Sequence, residues 1–282
     1  MYFDSLTYNF PSNNNEKQSV MDKSLQREIN LARNIQSQLL NGKTPTFEGG
    51  EVSGSSLPAR LIGGDYYDFY LLVNGNIRIV IGDVMGKGIP AAMLMILTRG
   101  AFRSAAESTI GPGETLTAMN QALYEDLRTL KSFVTLFCAD WDPKTGRLTY
   151  ANAGHNLPLF IKGKSNSIEE LPNVKGIMVG GLPNQLYKEN HVYLEETDTI
   201  FFYTDGIIEA QNKKGERYKL ERLIQTLIKN KDLAVGEIEK SVINSIYLFT
   251  EDVPQKDDIT MVLLKISQQK VDITSLNSPV LG

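Results

Sequence analysis

The sequence predicts an α+β sandwich, antiparallel sheets packed together with helices outside, and three observations carry that prediction. Apolar runs of strand length come in hairpin-like pairs around turn residues. Helical patterns come in adjacent pairs. The chain has 282 residues and 41% hydrophobic content, enough for one large domain with a short appendage.

Residues 1–21 are polar, with Asn13-Asn-Asn15, and read as a loose segment. Over 22–41 the character changes. Leu25, Ile29, Ala32, Ile35 and Leu39 recur at helical spacing and form one apolar stripe, with Asn41-Gly42 as a stop. A stripe this narrow is either one side of a two-helix seam or a face that packs on its own domain.

From 51 onward the signals are mostly strand. Asp68–Val73 and Asn76–Ile81 flank Asn74-Gly75, a short-hairpin turn. Phe133–Asp140 and Arg147–Ala153 flank Asp142-Pro-Lys-Thr-Gly146. Leu157–Lys162 with Ser167–Leu171 read as a third pair, and His191–Leu194 with Thr199–Tyr203 as a fourth. Asp258–Ile266 reads as a last strand. Helices are expected over Pro90–Ala106 and Gly113–Leu130, and again over Leu220–Lys229 and Val235–Phe249. Residues 268–282 read as a tail.

Composition narrows the function. The net charge is −4 and the pI about 5.4, which disfavours a nucleic-acid partner. One cysteine, Cys138, sits in an apolar run, so it reads as a core residue and no disulfide can form within the chain. No apolar run approaches the roughly 18 residues that span a bilayer. The N-terminus lacks a basic flank followed by an apolar core. A soluble, cytoplasmic protein is expected.

The chemistry concentrates where apolar runs meet Asp. Ile79-Val-Ile-Gly-Asp-Val-Met-Gly-Lys-Gly88 puts Asp83 at the end of a buried strand among three glycines. Asp65 follows Ile62-Gly-Gly and precedes a strand, Asp205 ends Thr199-Ile-Phe-Phe-Tyr-Thr and precedes Gly206, and Asp257 and Asp258 open the last strand. Any one of these is ordinary turn chemistry. Four in one chain weaken that reading; if the strand ends converge, the acids would raise one another's pKa unless a cation lies between them. Oxygen donors without a Cys or His cluster favour Mg²⁺ or Mn²⁺ over zinc. Gly82–Gly88 is not a phosphate-binding P-loop: three residues rather than four separate its glycines, and Gly follows Lys. Gly63-Gly-Asp-Tyr-Tyr matches only half of a cyclic-dinucleotide synthase signature.

Seven segments in order, LARNIQSQLL, PARLIGGDYYDFY, IGDVMGKGIPAAMLM, FVTLFCADWD, YANAGHNLPLF, FYTDGIIEAQNKKGERY and DDITMVLL, resemble the PPM-type metal-dependent serine/threonine phosphatases, in particular the bacterial SpoIIE/RsbU branch. The resemblance covers about residues 25–266. It implies a four-layer α-β-β-α sandwich over 42–267, preceded by a linker or regulatory helix over 22–41. It further implies two Mn²⁺ or Mg²⁺ ions that activate water for in-line attack on phosphorus.

By the same resemblance, Asp83 would bridge both ions with help from the Val84 carbonyl. Asp65 would serve the second ion, and Asp205 and Asp257 the first. Asp68 and Asp258 would stand behind the ligands, and Arg60 would meet a substrate phosphate oxygen. Asp83 and Asp205 are thus the expected catalytic residues. His155 matches a family motif and reads as a turn histidine or a catalytic acid. Met85 stands where the eukaryotic branch has a histidine. The implied substrate is a phosphoserine or phosphothreonine protein, of the STAS-type anti-anti-sigma class in a partner-switching pathway. Control is expected through a homodimer of the 22–41 helix or a separate regulatory protein. The alternative is a catalytically weak module of the same fold that binds a phosphoprotein.

Overall fold

The computed structural model describes residues 14–40, 44–47, 49–165 and 167–267. Residues 1–13, the Asn41-Gly42 stop and the 268–282 tail lie outside the described residues.

Helix α1 (Asn14–Leu40) begins within the segment read as loose. The hairpin around Asn74-Gly75 joins β2 (Tyr66–Leu71) to β3 (Ile77–Val84), with Gly75 in the left-handed region at φ +89°. Strand β3 runs further than the sequence reading, through Asp83 to Val84. Next come α2 (Ile89–Ser108) and α3 (Pro112–Thr129), then the hairpin β4 (Val134–Asp142) and β5 (Arg147–Ala153). Prolines at the starts of α2 and α3 suit the first helical turn, where no backbone donor is needed.

The third hairpin forms between β6 (Leu159–Ile161) and β7 (Ile168–Glu170). The fourth does not. Strand β8 (Asn190–Tyr193) pairs with β5, whereas β9 (Thr199–Tyr203) pairs with β6 and with β10 (Ile259–Ile266). The link between β8 and β9 therefore crosses from one sheet to the other. Leu194 N–H donates to the Gly146 carbonyl (2.8 Å) beside β5, and Thr197 N–H donates to the Ile266 carbonyl (3.0 Å) in β10. Two other elements were not singled out in the sequence: β1 (Gly50–Leu57), which pairs with β10, and the one-turn α4 (Gly206–Glu209). The last two helices are α5 (Lys219–Asn230) and α6 (Val235–Thr250).

The strands form two antiparallel sheets, ordered β1-β10-β9-β6-β7 and β2-β3-β4-β5-β8. Strand alternation sorts the side chains into three cores. Ile77, Ile79 and Ile81 of β3 meet Phe202, Val262 and Leu264 of the other sheet in the middle layer. Val80 and Val84 of the same strand face Met95, Phe102, Leu116 and Met119 of α2 and α3. Phe201, Met261 and Leu263 face Leu223, Leu227, Ile238 and Val242 of α5 and α6. The order is helices, sheet, sheet, helices, as the resemblance implied.

One buried ion pair fastens the α2–α3 turn to its sheet. Arg78 and Asp140 are cross-strand neighbours on the helix-facing side and share two 2.7 Å hydrogen bonds. The guanidinium also donates to the hydroxyls of Thr109 (2.8 Å) and Thr115 (2.7 Å) and to the Ile110 carbonyl (3.1 Å). Removing one member leaves the other charged, buried and unpaired, whereas removing both does not. Arg78→Met should lose about 3–5 kcal/mol of unfolding free energy in urea titrations. Arg78→Met combined with Asp140→Leu should recover much of that loss.

Candidate active site

Asp65, Asp83, Asp205, Asp257 and Asp258 lie at strand ends of both sheets, near enough for their charges to act on one another. Asp83 lies on the same face of β3 as Ile79 and Ile81, beyond the last of the apolar layer. Asp65 immediately precedes β2, beside it in that sheet. Asp205 lies between β9 and α4 of the other sheet, and Asp257 and Asp258 immediately precede β10.

Glycines make this approach sterically feasible. A Cβ at Gly82 would lie 2.3 Å from Leu136 Cδ2 and 2.6 Å from the Thr135 carbonyl, so only glycine lets β4 run this close. Gly86 and Gly88 hold φ values of +105° and +72°, the left-handed turn that carries the chain into α2. A Cβ at Gly206 would fall 1.9 Å from the Asp258 carbonyl. At Gly64 it would stand 3.2 Å from the Val84 carbonyl oxygen, which therefore faces the 62–65 turn.

The acids feel one another. Burial raises the Asp83 carboxyl to about 7, and the charges of Asp205, Asp257 and Asp258 add to the effect. A hydrogen bond with Asp65 works the other way. Asp65 is held well above the usual carboxylate range, by burial and then by Asp83. Its Oδ2 accepts the Thr204 hydroxyl at 2.8 Å. Asp205 is raised by burial and then by Asp257 and Glu209, with Lys87 opposing.

Lys87 is the nearby cation, and nothing in the sequence beyond its place among the glycines of 82–88 marks it as one. Its Nζ donates to Asp257 Oδ2 and to the Lys256 carbonyl, each at 2.6 Å. Among the described residues no three Asp, Glu, His or Cys side chains form a ready-made metal cage. The donor chemistry nonetheless fits a hard divalent cation: every group is an oxygen, and Asp65, Asp83 and Asp205 are raised first by burial and then by neighbouring carboxylates, both of which such a charge would offset.

The supporting residues divide into two groups. Asp258 grips the 59–65 segment: Oδ1 accepts Ala59 N–H and Oδ2 accepts Gly64 N–H, both at 2.7 Å. Asp68 is not brought to the cluster. It shares the helix-facing side of β2 with Tyr66, accepts that hydroxyl at 2.9 Å, and is ion-paired with Arg103 of α2. Its expected place behind the ligands is therefore taken up by the α2 contact, because strand alternation turns it away. Arg60 is exposed and lies over the Gly86–Gly88 turn; a Cβ at Gly88 would stand 3.4 Å from its Nη1.

His155 is buried in a turn built by Asn152. The Asn152 Nδ2 donates to the His155 carbonyl (3.0 Å), and His155 N–H donates to Asn152 Oδ1 (2.8 Å). Its Nδ1 is 3.0 Å from Thr135 Oγ1, and burial lowers its pKa to about 4. The ring is thus neutral at pH 7, which accords with the turn reading. His155, Thr135, Met85 and Asn156 line a cleft of about 240 Å³ with Asp83 and Asp205. Thr204, Thr135 and Asn152 had no signal of their own beyond adjacency to the Asp and His motifs.

Comparison with known proteins agrees with this fold. Residues 74–267 match the family model of the stage II sporulation protein E (SpoIIE). The phosphoserine phosphatase RsbU of Bacillus subtilis (strain 168) is 32% identical over 247 residues, 87% of this chain and 72% of RsbU. Protein IcfG of Synechocystis sp. is 30% identical over 87% of this chain, which spans 42% of IcfG. Among solved structures, the SiaA-PP2C domain of Pseudomonas aeruginosa superposes with a TM-score of 0.75 at 21% identity, covering 88% of this chain and 99% of that domain. With the sandwich, the acids at its open end and these matches together, the chain belongs to the SpoIIE family, in the SpoIIE/RsbU branch of the PPM-type serine/threonine protein phosphatases.

Proposed function

We propose that this chain hydrolyses phosphoserine or phosphothreonine on a regulatory protein, with Asp65, Asp83, Asp205 and Asp257 holding two Mn²⁺ or Mg²⁺ ions. The observation that carries this reading is the convergence of acids from both sheets, with Asp65, Asp83 and Asp205 all raised. Bound there, the cations would neutralise the cluster and activate a water for in-line attack on phosphorus. Asp83 would bridge the pair with the Val84 carbonyl beside it, and Asp65 would serve one ion. Asp205 and Asp257 would serve the other, Asp257 giving up its Lys87 partner. Asp258 and Thr204 hold Asp65 and its turn in register. Arg60, over the Gly86–Gly88 turn, offers its fork to a phosphate oxygen.

Membership of the SpoIIE/RsbU branch supports a partner-switching protein of the STAS type as substrate. Helix α1 leaves part of its apolar stripe uncovered, with Leu25 53% and Ile35 59% exposed while Ile29 and Leu39 are half-buried. That favours the two-helix seam, a homodimer through residues 22–41, over packing on its own domain. No helix among the described residues is long and apolar enough to cross a membrane.

The alternative, a weak phosphoprotein-binding module, draws on the Lys87–Asp257 pair. Turnover separates the two. With saturating Mn²⁺ the wild type should hydrolyse p-nitrophenyl phosphate. Asp205→Asn should lose more than about 100-fold, the upper end for partners that merely support ligands. No turnover together with retained binding of a phosphorylated partner would favour the module. A phosphoproteome comparison with the same variant should name the substrate.

Stability gives a second test. A carboxyl whose folded pKa is raised stabilises most below its ordinary pKa and loses that contribution as pH rises. For Asp83 the loss runs from about 3.8 up through about 7. In chelator at pH 8, Asp83→Asn should melt higher than wild type, with the difference shrinking towards pH 4. Added Mn²⁺ should raise the wild-type Tm. Finally, Ile29→Glu with Ile35→Glu should convert a sedimenting dimer to monomer; unchanged sedimentation and turnover would count against the helix seam.

A further inference from the structure

Among the α1 side chains described from Lys23 to Leu40, Gln36 alone is buried, 5% exposed. Its neighbours Ile35 and Ser37 are exposed, and the helix otherwise gives up only partial burial at Ile29, Leu39 and Leu40. A buried primary amide needs partners for both its donor and its acceptor. Gln36 finds both on one residue. Its Nε2 donates to the Gly63 carbonyl at 2.7 Å, and Gly63 N–H donates to its Oε1 at 3.2 Å. The amide pairs with the Gly63 backbone as a neighbouring strand would.

Gly63 belongs to the turn that delivers Asp65. On its other side that turn is held by Asp258, which accepts Gly64 N–H at 2.7 Å and whose Oδ2 would lie 2.5 Å from a Cβ at position 63. The turn is therefore held between a carboxylate from the start of β10 and an amide from α1. Asp65 follows two residues later, buried and bonded to Thr204.

We infer that Gln36 is a positioning residue: it fixes the Gly63–Asp65 turn from the helix side, so that the placement of Asp65 depends on where α1 lies. The inference rests on the metal-dependent reading above. It makes α1 part of the site's support and gives any change in that helix a two-bond route to a proposed ligand. A leucine at 36 would keep helix propensity and fill much of the same space, but leave the Gly63 N–H and carbonyl buried without partners. A glutamate would keep the acceptor and lose the donor.

The test uses the full chain with Gln36→Leu and Gln36→Glu. Three readouts are compared with wild type: Mn²⁺ affinity by calorimetric titration, hydrogen exchange over residues 59–65, and p-nitrophenyl phosphate turnover as a function of Mn²⁺. Gln36→Leu should bind Mn²⁺ about tenfold more weakly. Its turn should exchange faster, and its turnover should recover at high Mn²⁺. Gln36→Glu should fall between it and wild type. A purely structural fastening would lower Tm without moving the Mn²⁺ dependence. Affinity and exchange within twofold of wild type in both variants would overturn the inference; should Gln36→Leu fail to fold, Gln36→Glu alone decides on the same criteria. If the wild type itself took up no Mn²⁺, the phosphatase reading would fail, and the exchange arm would still decide whether Gln36 holds the turn.

Discussion

Carboxylates crowded where two sheets end are the constraint around which this molecule is organised. Burying Asp65, Asp83 and Asp205 and setting them beside Asp257 and Asp258 is electrostatically unfavourable, and the raised Asp65, Asp83 and Asp205 register burial first and their neighbours' charge second. Several otherwise unrelated features follow from it. Gly82 and Gly206 remove the Cβ atoms that would keep the strands and turns apart. Asp258 spends its oxygens on the backbone of 59–64, so that the Asp65 turn stays where repulsion would move it. Lys87 supplies a positive charge to Asp257 from the turn that Gly86 and Gly88 make possible.

The sandwich separates this tension from stability. Its ion pairs on the helix-facing side, Arg78 with Asp140 and Asp68 with Arg103, bind α2 and the α2–α3 turn to the sheet and stand apart from the acid cluster. Between the sheets the packing is apolar until the strands run out. A site at the open end can therefore gather charge while the three cores beneath it remain intact. Regions under such tension are commonly functional ones, because the strain serves the chemistry there.

Much of this was legible in the residues. Period-2 apolar runs and turn residues located most strands, and helical spacing located α2, α3, α5 and α6, because each of those patterns is local. The Asp residues that converge were those at the ends of apolar runs. What escaped was nonlocal. Two neighbouring runs, β8 and β9, joined different sheets, since the hydrogen bonds that send the chain across come from Gly146 and Ile266. Asp68 resembled the other acids in sequence, yet strand alternation turned it to α2. Gln36 carried no sequence signal of buried function, because its partner lies 27 residues away and is backbone.

If the proposed function holds, the acids at the sheet ends form one divalent-cation centre. Anomalous diffraction at the manganese edge from crystals grown with Mn²⁺ tests it most directly. Anomalous peaks should lie among Asp65, Asp83, Asp205 and Asp257, with Asp257 turned from Lys87 towards an ion. Peaks elsewhere, or none, with Asp257 still on Lys87 and the carboxylates apart, would contradict it.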